Sequence, residues 1–246
     1  LRLRERTVVI FLSDNGGVYQ LNDMKPFLDG DGTATQLTVA AEEFSNAPLR
    51  AGKGSAYEGG IRVPCLVRWP GVVAPKTVNP TPVHVVDWMP TLLEIAGAAA
   101  PAGHVLDGTS LVPLLRGGPL AARPLFWHLP FYELRWGVTP CAVIRDDDWK
   151  LIDHFGDRFD AQRRYRSGPA LELFNLRLDP GEANDLAARE PARAHALQAT
   201  LRAWVRSCGA TIPGPNPHHD PARPLKETRT RPPHVPTRAP VPGGSG

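Results

Sequence analysis

The sequence predicts an α/β fold followed by a smaller α+β subdomain. Residues 7–12 form a continuous apolar run rich in β-branched side chains, typical of a strand buried on both faces of a parallel sheet. A helical segment follows at 88–96, between the helix signals Asp87 and Gly97. After about residue 120, short strand-forming segments separated by turn residues indicate an antiparallel sheet.

The first predicted domain, residues 1–120, carries the α/β part. Its first strand ends in Ser13-Asp14-Asn15-Gly16-Gly17, a loop sequence at the carboxyl end of a strand. In open α/β sheets that edge is where ligands bind. Residues 61–69 form the second predicted core strand, and the dipeptide Pro70-Gly71 ends it.

The helix predicted at 88–96 is expected to pack on this sheet. Asp87 is the expected N-cap, Pro90 is tolerated in the first turn, and Gly97 ends the helix. The side chains expected to bury its inner face are Leu92, Leu93, Ile95 and Ala96.

The second predicted domain, residues 121–212, is the α+β subdomain. Its helix begins at Pro191, and apolar residues recur at helical spacing along one face. Residues 213–246 are rich in proline and poor in apolar side chains, so we expect a disordered tail. The expected strands are 125–129, 141–145, 149–155 and 171–176, and the expected helix face is Leu197, Leu201, Trp204 and Val205.

Composition argues against several classes of function. The formal charge of +3 lies entirely in the tail, where five basic and two acidic residues have no aromatic side chain between them, so we expect no nucleic-acid binding. No apolar run is long enough to span a bilayer. The three cysteines, Cys65, Cys141 and Cys208, form no Cys-x-x-Cys pair, which argues against a zinc site.

Asp14 and Asn15 are the candidate metal ligands. A carboxylate and an amide both offer hard oxygen donors, and side by side at a strand end they suit Ca²⁺ or Mg²⁺. Asp-Asn-Gly-Gly is also a good turn sequence, so a turn without metal is the alternative.

Lys53 is the candidate anion contact. Gly52 and Gly54 let the backbone approach an anion closely, while the ammonium supplies a compact charge. A nucleotide-binding P-loop is excluded, because Gly54 stands where that motif needs Ser or Thr and Ala47 stands where it needs Gly. A surface loop without ligand is the alternative.

His128 is a candidate substrate contact, because it lies at the end of a predicted strand beside aromatic residues. A core histidine is the alternative. The sequence contains no Gly-x-Ser-x-Gly motif, which excludes the usual serine-hydrolase site.

The order of these motifs resembles the sulfatase family. The Ser-Asp-Asn-Gly-Gly loop at 13–17 is followed by Lys-Gly-x-x-x-Glu-Gly-Gly-x-Arg-x-Pro at 53–64 and by Trp-Pro-Gly at 69–71. The resemblance covers nearly the whole chain, to about residue 221. Further segments similar to arylsulfatase-type members are 86–97, 106–111, 148–152 and 173–186.

The resemblance implies an alkaline-phosphatase-like sheet with flanking helices and a C-terminal antiparallel subdomain. It implies hydrolysis of a sulfate ester, with a sulfated small molecule or a sulfated sugar as substrate. It implies Asp14 and Asn15 as ligands of Ca²⁺, with Mg²⁺ as the alternative, and Lys53 as a catalytic contact to the sulfate. It also implies export to the periplasm or out of the cell.

The nucleophile of the family is missing from this sequence. Such enzymes convert the cysteine of Cys-x-Pro/Ala-x-Arg to formylglycine, and Cys141 has Arg145 at the right distance but Val143 at the middle position. We therefore expect the C-terminal part of a sulfatase, inactive by itself. A phosphate or phosphonate ester hydrolase of the same superfamily and a non-catalytic fragment are the alternatives. Phe131 replaces a histidine found in many relatives, which leaves the specific substrate open.

Overall fold

The computed structural model describes residues 3–22, 39–160, 164–214 and 217, and it shows a mixed α/β fold with antiparallel sheets. Most of the tail predicted to be disordered lies outside the described residues. In the described part, no helix is both long and apolar enough to cross a membrane.

The strands are β1 (Val9–Leu12), β2 (Gln20–Asn22), β3 (Val39–Glu42), β4 (Cys65–Arg68), β5 (Leu125–Leu129), β6 (Cys141–Asp146), β7 (Trp149–His154), β8 (Arg158–Phe159), β9 (Tyr165–Arg166) and β10 (Ala170–Asn175). The α-helices are α1 (Glu58–Ile61), α2 (Trp88–Ala96), α3 (Val112–Leu115) and α4 (Pro191–Ser207).

The best-buried part of the molecule is a four-stranded antiparallel sheet in the order β10-β7-β6-β5. β6 and β7 are the central strands, and Ile144 pairs with Leu151 in the middle of their register. Ile144, Leu151 and Leu173 have no solvent exposure. The predicted antiparallel sheet is therefore confirmed.

Helix α4 covers one face of this sheet, as its apolar spacing predicts. Leu201 and Val205 are almost fully buried, and the Trp204 ring stacks on Phe126 with centroids 4.7 Å apart. Replacing Leu201 by alanine would leave a cavity costing about 2–5 kcal/mol of stability. Helix α4 therefore covers one face of the sheet, and Tyr57 of the Lys53 loop packs against the opposite face.

The prediction that residues 7–12 are buried on both faces of a parallel sheet is wrong for the described structure. β1 pairs antiparallel with β4, and Phe11 lies opposite Leu66. Val9 is 49% exposed and Phe11 is 59% exposed. Among the described residues, β1 belongs to a two-stranded sheet with β4. A strand buried on both faces needs a covering layer on each side, and the exposure of Val9 and Phe11 shows that these side chains are not covered.

Helix α2 has the predicted bounds but not the predicted burial. Gly97 ends the helix in the left-handed conformation with φ 64°, and its amide donates to the Glu94 and Leu93 carbonyls. Thr91 is the buried residue of the helix, whereas Leu92 is 46% exposed. The expected apolar face against the sheet is therefore wrong.

Asp87 is not the side-chain N-cap of α2. Its carboxylate instead accepts hydrogen bonds from the amides of His84 at 2.7 Å and Thr109 at 2.9 Å, and it pairs with Arg123. The Thr91 hydroxyl accepts from the Leu111 amide at 2.8 Å. These hydrogen bonds fasten the start of α2 to the loop before α3, which is why Thr91 is buried.

Candidate functional site

Backbone hydrogen bonds hold the two predicted site loops side by side. The Lys53 amide donates to the Gly17 carbonyl at 3.0 Å, and the Gly16 amide donates to the Gly60 carbonyl at 3.0 Å. The loop after β1, which carries the candidate metal ligands, is thereby joined to the loop that carries the candidate sulfate contact. Buried backbone groups must be paired, so these bonds fix the relative position of the loops.

The glycines of this junction are required by close backbone contact. A Cβ atom on Gly16 would lie 1.7 Å from the Gly59 carbonyl oxygen, and one on Gly59 would lie 2.3 Å from the Ala51 carbonyl oxygen. A side chain on Gly16 would push the two loops apart, and one on Gly59 would distort the Lys53 loop itself. Close packing between and within the loops therefore explains these glycines.

Asn46 is a bridge that the sequence analysis missed. Its Oδ1 accepts from the Gly17 amide at 3.1 Å, while its Nδ2 donates to the Gly17 carbonyl at 2.9 Å and the Ala51 carbonyl at 3.0 Å. One side chain thus satisfies backbone groups of both site loops. A single asparagine in an irregular segment carries no sequence signal for this role.

Lys53 lines a cavity of about 420 Å³. Its Nζ lies 5.2 Å from the centroid of the Trp136 ring, within the range of a cation–π contact. The structure therefore places the ammonium of a half-buried residue beside a partly open cavity. Other side chains lining the cavity are Tyr19, Arg50, Tyr57, Phe159 and Asp160.

Asp14 and Asn15 do not line this cavity. Asp14 is exposed, and its Oδ1 accepts a hydrogen bond from the Asn15 amide at 2.9 Å. Ca²⁺ takes six to eight oxygen ligands, of which these two residues can supply part. The described residues contain no group of three or more His, Cys, Asp or Glu side chains able to hold a metal ion. The pair fits one side of a hard-cation site, and the described chain does not complete it.

His128 lies on β5 and is not among the residues that line the cavity. Its Nε2 is 3.0 Å from the Thr211 carbonyl oxygen, and its ring lies 5.7 Å from the ring of Phe155. The structure therefore does not bring His128 to Lys53. Its role as a substrate contact stays a prediction.

A buried polar network lies behind the cavity wall. Tyr57 donates a hydrogen bond to Glu172 at 2.6 Å, and His154 Nε2 lies 3.0 Å from the same carboxylate oxygen. Burial alone would raise the pKa of Glu172, but His154, Tyr57 and Arg50 outweigh it and lower the pKa to about 2. Burial and the Glu172 charge raise the pKa of Tyr57 well above its ordinary value. Tyr57 therefore stays protonated and donates.

A second buried network ties α1 to the central sheet. Lys150 Nζ lies 3.0 Å from Glu58 Oε1 and 2.8 Å from Glu182 Oε1, and all three residues are at most 1% exposed. The Glu58 amide also donates to Glu182 at 2.6 Å. Burial raises the pKa of Glu182, an effect that the Lys150 charge partly offsets. The network holds the C-terminal end of the Lys53 loop in place.

Cys141 is buried in β6, where burial raises the pKa of its thiol to about 12. A reactive cysteine needs a thiolate, which this environment suppresses. The near-match of Cys141 to the formylglycine motif is therefore a coincidence of spacing within a core strand.

Lys53 thus lines a cavity, and its loop is hydrogen-bonded to the loop that carries Asp14 and Asn15, an arrangement able to bind an oxyanion. Residues 1–98 match the family described as Sulfatase, and residues 52–208 match the family described as N-sulphoglucosamine sulphohydrolase, C-terminal. The chain belongs to the sulfatase family.

The relatives of this chain are much longer than the segment of each that the chain matches. The chain is 36% identical over 220 residues to a sulfatase of Formosa agariphila, covering 82% of the chain and 34% of that protein. It is 41% identical over 237 residues to steryl-sulfatase of Mus musculus, covering 88% of the chain and 35% of that protein. The solved structure of Ps i-CgsB in complex with k-i-k-neocarrahexaose matches with a TM-score of 0.59 and 27% sequence identity, covering 82% of the chain and 37% of that protein. The chain thus spans about a third of the length of these relatives.

Proposed function

We propose that the chain is the C-terminal part of an enzyme that hydrolyses sulfate esters. The observation that carries the proposal is the position of Lys53: its side chain lines the cavity, while its amide is bonded to Gly17 of the candidate metal loop. In this proposal, an anion-binding lysine and a pair of hard oxygen ligands stand on two loops joined by backbone hydrogen bonds.

Lys53 supplies charge stabilisation in this proposal. As the bond between sulfur and the leaving oxygen breaks, negative charge grows on the sulfate oxygens and on the leaving group. An ammonium already fixed in place stabilises that charge without reorganising during the reaction. The Trp136 contact and the Gly17 hydrogen bond provide this fixation.

Asp14 and Asn15 would hold a divalent cation, together with ligands from the rest of the protein. We propose Ca²⁺, with Mg²⁺ as the alternative, because both prefer oxygen donors. When bound, the cation would act as a Lewis acid on the sulfate oxygens. We further propose that the nucleophile is a formylglycine outside this chain, since the thiol of Cys141 is buried and protonated.

The proposed substrate is a sulfated small molecule or a sulfated sugar. The cavity combines aromatic side chains with Arg50, Lys53 and Asp160, a mixture suited to a ring bearing hydroxyl and sulfate groups. The solved relative bound to neocarrahexaose gives independent support for a sugar. Export to the periplasm or out of the cell remains part of the proposal.

The test is a substrate panel on the full-length protein that contains this chain. We expect turnover of 4-nitrophenyl sulfate to exceed turnover of 4-nitrophenyl phosphate and of a phenylphosphonate monoester. Chelation should abolish the activity, and added Ca²⁺ should restore it. Faster hydrolysis of the phosphonate ester would contradict the proposal and favour the phosphoryl alternative.

A further inference from the structure

Trp136 stands on a tightly closed turn of the C-terminal subdomain. The 3₁₀ turn Leu134–Trp136 is bracketed by two hydrogen bonds between Glu133 and Val138, at 3.1 and 3.0 Å. The Trp136 amide also donates to the Glu133 carbonyl at 3.1 Å. The indole therefore projects from a backbone that is fixed on both sides.

Gly54, the residue after Lys53, lies against this indole. A Cβ atom on Gly54 would lie 2.9 Å from Cβ of Trp136 and 3.1 Å from its Cε3. Gly54 also has a φ of 84°, which disfavours any other residue. The glycine thus allows the indole to pack directly on the lysine loop, and the subdomain supplies a wall of the site.

We infer that Trp136 is a specificity-determining residue whose indole contacts the ring that bears the sulfate ester. Lys53 Nζ is 5.2 Å from the indole centroid, and both residues line the same cavity of about 420 Å³. In the proposed function, an ester held by Lys53 places its organic group in that cavity, beside the indole. Aromatic faces bind aryl rings and the apolar faces of sugars, whereas free sulfate offers no such surface. This inference rests on the proposed function.

The test compares ring recognition with sulfate recognition in the full-length protein. Two variants are made: Trp136→Leu keeps apolar bulk against Gly54, and Trp136→Phe keeps a smaller aromatic face. For Trp136→Leu we expect KM for 4-nitrophenyl sulfate to rise about tenfold, the size of a lost aromatic contact. The inhibition constant of inorganic sulfate should change by less than about twofold. Trp136→Phe should show a smaller rise of KM than Trp136→Leu. Tyr132→Ala, an exposed aromatic on the same loop that does not line the cavity, is the control.

Two results would overturn the inference. An unchanged KM in Trp136→Leu would show that the indole makes no contact with the ring. An equal rise of KM and of the sulfate inhibition constant would show that Trp136 acts only by positioning Lys53. Failure of the proposed function has a different signature, because the wild-type protein would then hydrolyse no sulfate ester and inorganic sulfate would not inhibit it.

Discussion

The amide of Lys53 donates a hydrogen bond to the carbonyl oxygen of Gly17 at 3.0 Å. This bond joins the residue expected to bind sulfate to the loop expected to bind the metal. The two loops are separated by more than thirty residues of sequence, yet their backbones and glycines form one packed unit. We therefore expect damage to one loop to affect the function of the other.

Asp14→Ala should weaken metal binding by the full-length protein. Losing one anionic oxygen ligand lowers the affinity of a hard-cation site, so the Ca²⁺ concentration for half-maximal activity should rise about tenfold or more. Titration of the chelated protein with Ca²⁺ measures this shift. Asp146→Ala, which removes an exposed carboxylate from the end of β6, is the matched control. A Ca²⁺ dependence identical to the wild type would show that the loop is only a turn.

Lys150→Met should strongly destabilise the protein. It leaves the carboxylates of Glu58 and Glu182 buried without their shared cation, a change that typically costs about 3–5 kcal/mol. Urea unfolding measures the loss. Adding Glu182→Gln should recover part of it if buried charge is the cause, whereas a lost packing contact would not be recovered. Wild-type stability in the single variant would contradict this account of the network.

Glu172 gives a pH dependence whose sign is fixed. Its folded-state pKa of about 2 lies below the ordinary value of 4.5. A carboxyl with a lowered pKa stabilises the fold fully above its ordinary pKa, and this stabilisation is lost as the pH falls toward the folded value. The stability difference between wild type and Glu172→Gln should therefore shrink between about pH 5 and about pH 2. Denaturant unfolding of both proteins across that pH range measures this difference. A difference that stays constant with pH would show that the Glu172 carboxylate does not contribute the stability assigned to it.

The predicted substrate role of His128 is separable from its structural contacts. A substrate contact requires His128→Gln to raise KM for a sulfated substrate without lowering the melting temperature. The hydrogen bond to Thr211 and the contact with Phe155 favour the opposite pattern, a lower melting temperature with KM unchanged. Steady-state kinetics and thermal melts on the same preparation decide between them.

Local periodicity predicted the C-terminal subdomain well. The spacing of Leu197, Leu201 and Val205 marks one helix face, and that face is buried. Periodicity failed for β1 and α2, because exposure there depends on which layers surround the element. Phe11 is apolar in the sequence and 59% exposed in the structure, and nothing local to the run distinguishes the two outcomes.

The candidate site was predictable only where a motif carried it. Lys53 and its flanking glycines stand in one continuous block of sequence, so the resemblance singled them out. Tyr57 and Glu172 lie 115 residues apart, and Glu58 and Glu182 lie 124 apart. Trp136 is also far in sequence from Lys53, although the Lys53 Nζ lies 5.2 Å from the centroid of its ring. Such contacts are set by the packing of the subdomain on the site loops, which no local pattern encodes.

The most direct test of the central claim is the turnover of an aryl sulfate by Lys53 variants of the full-length protein. Lys53→Ala should lower kcat by about 10² or more, because it removes a fixed charge from the developing anion. Lys53→Arg should not restore full activity, since a planar guanidinium does not replace a compact ammonium between Gly52 and Gly54. Steady-state kinetics with 4-nitrophenyl sulfate, on variants shown by circular dichroism to be folded, gives the answer. Wild-type kcat in Lys53→Ala would contradict the assignment of this cavity as the sulfate site.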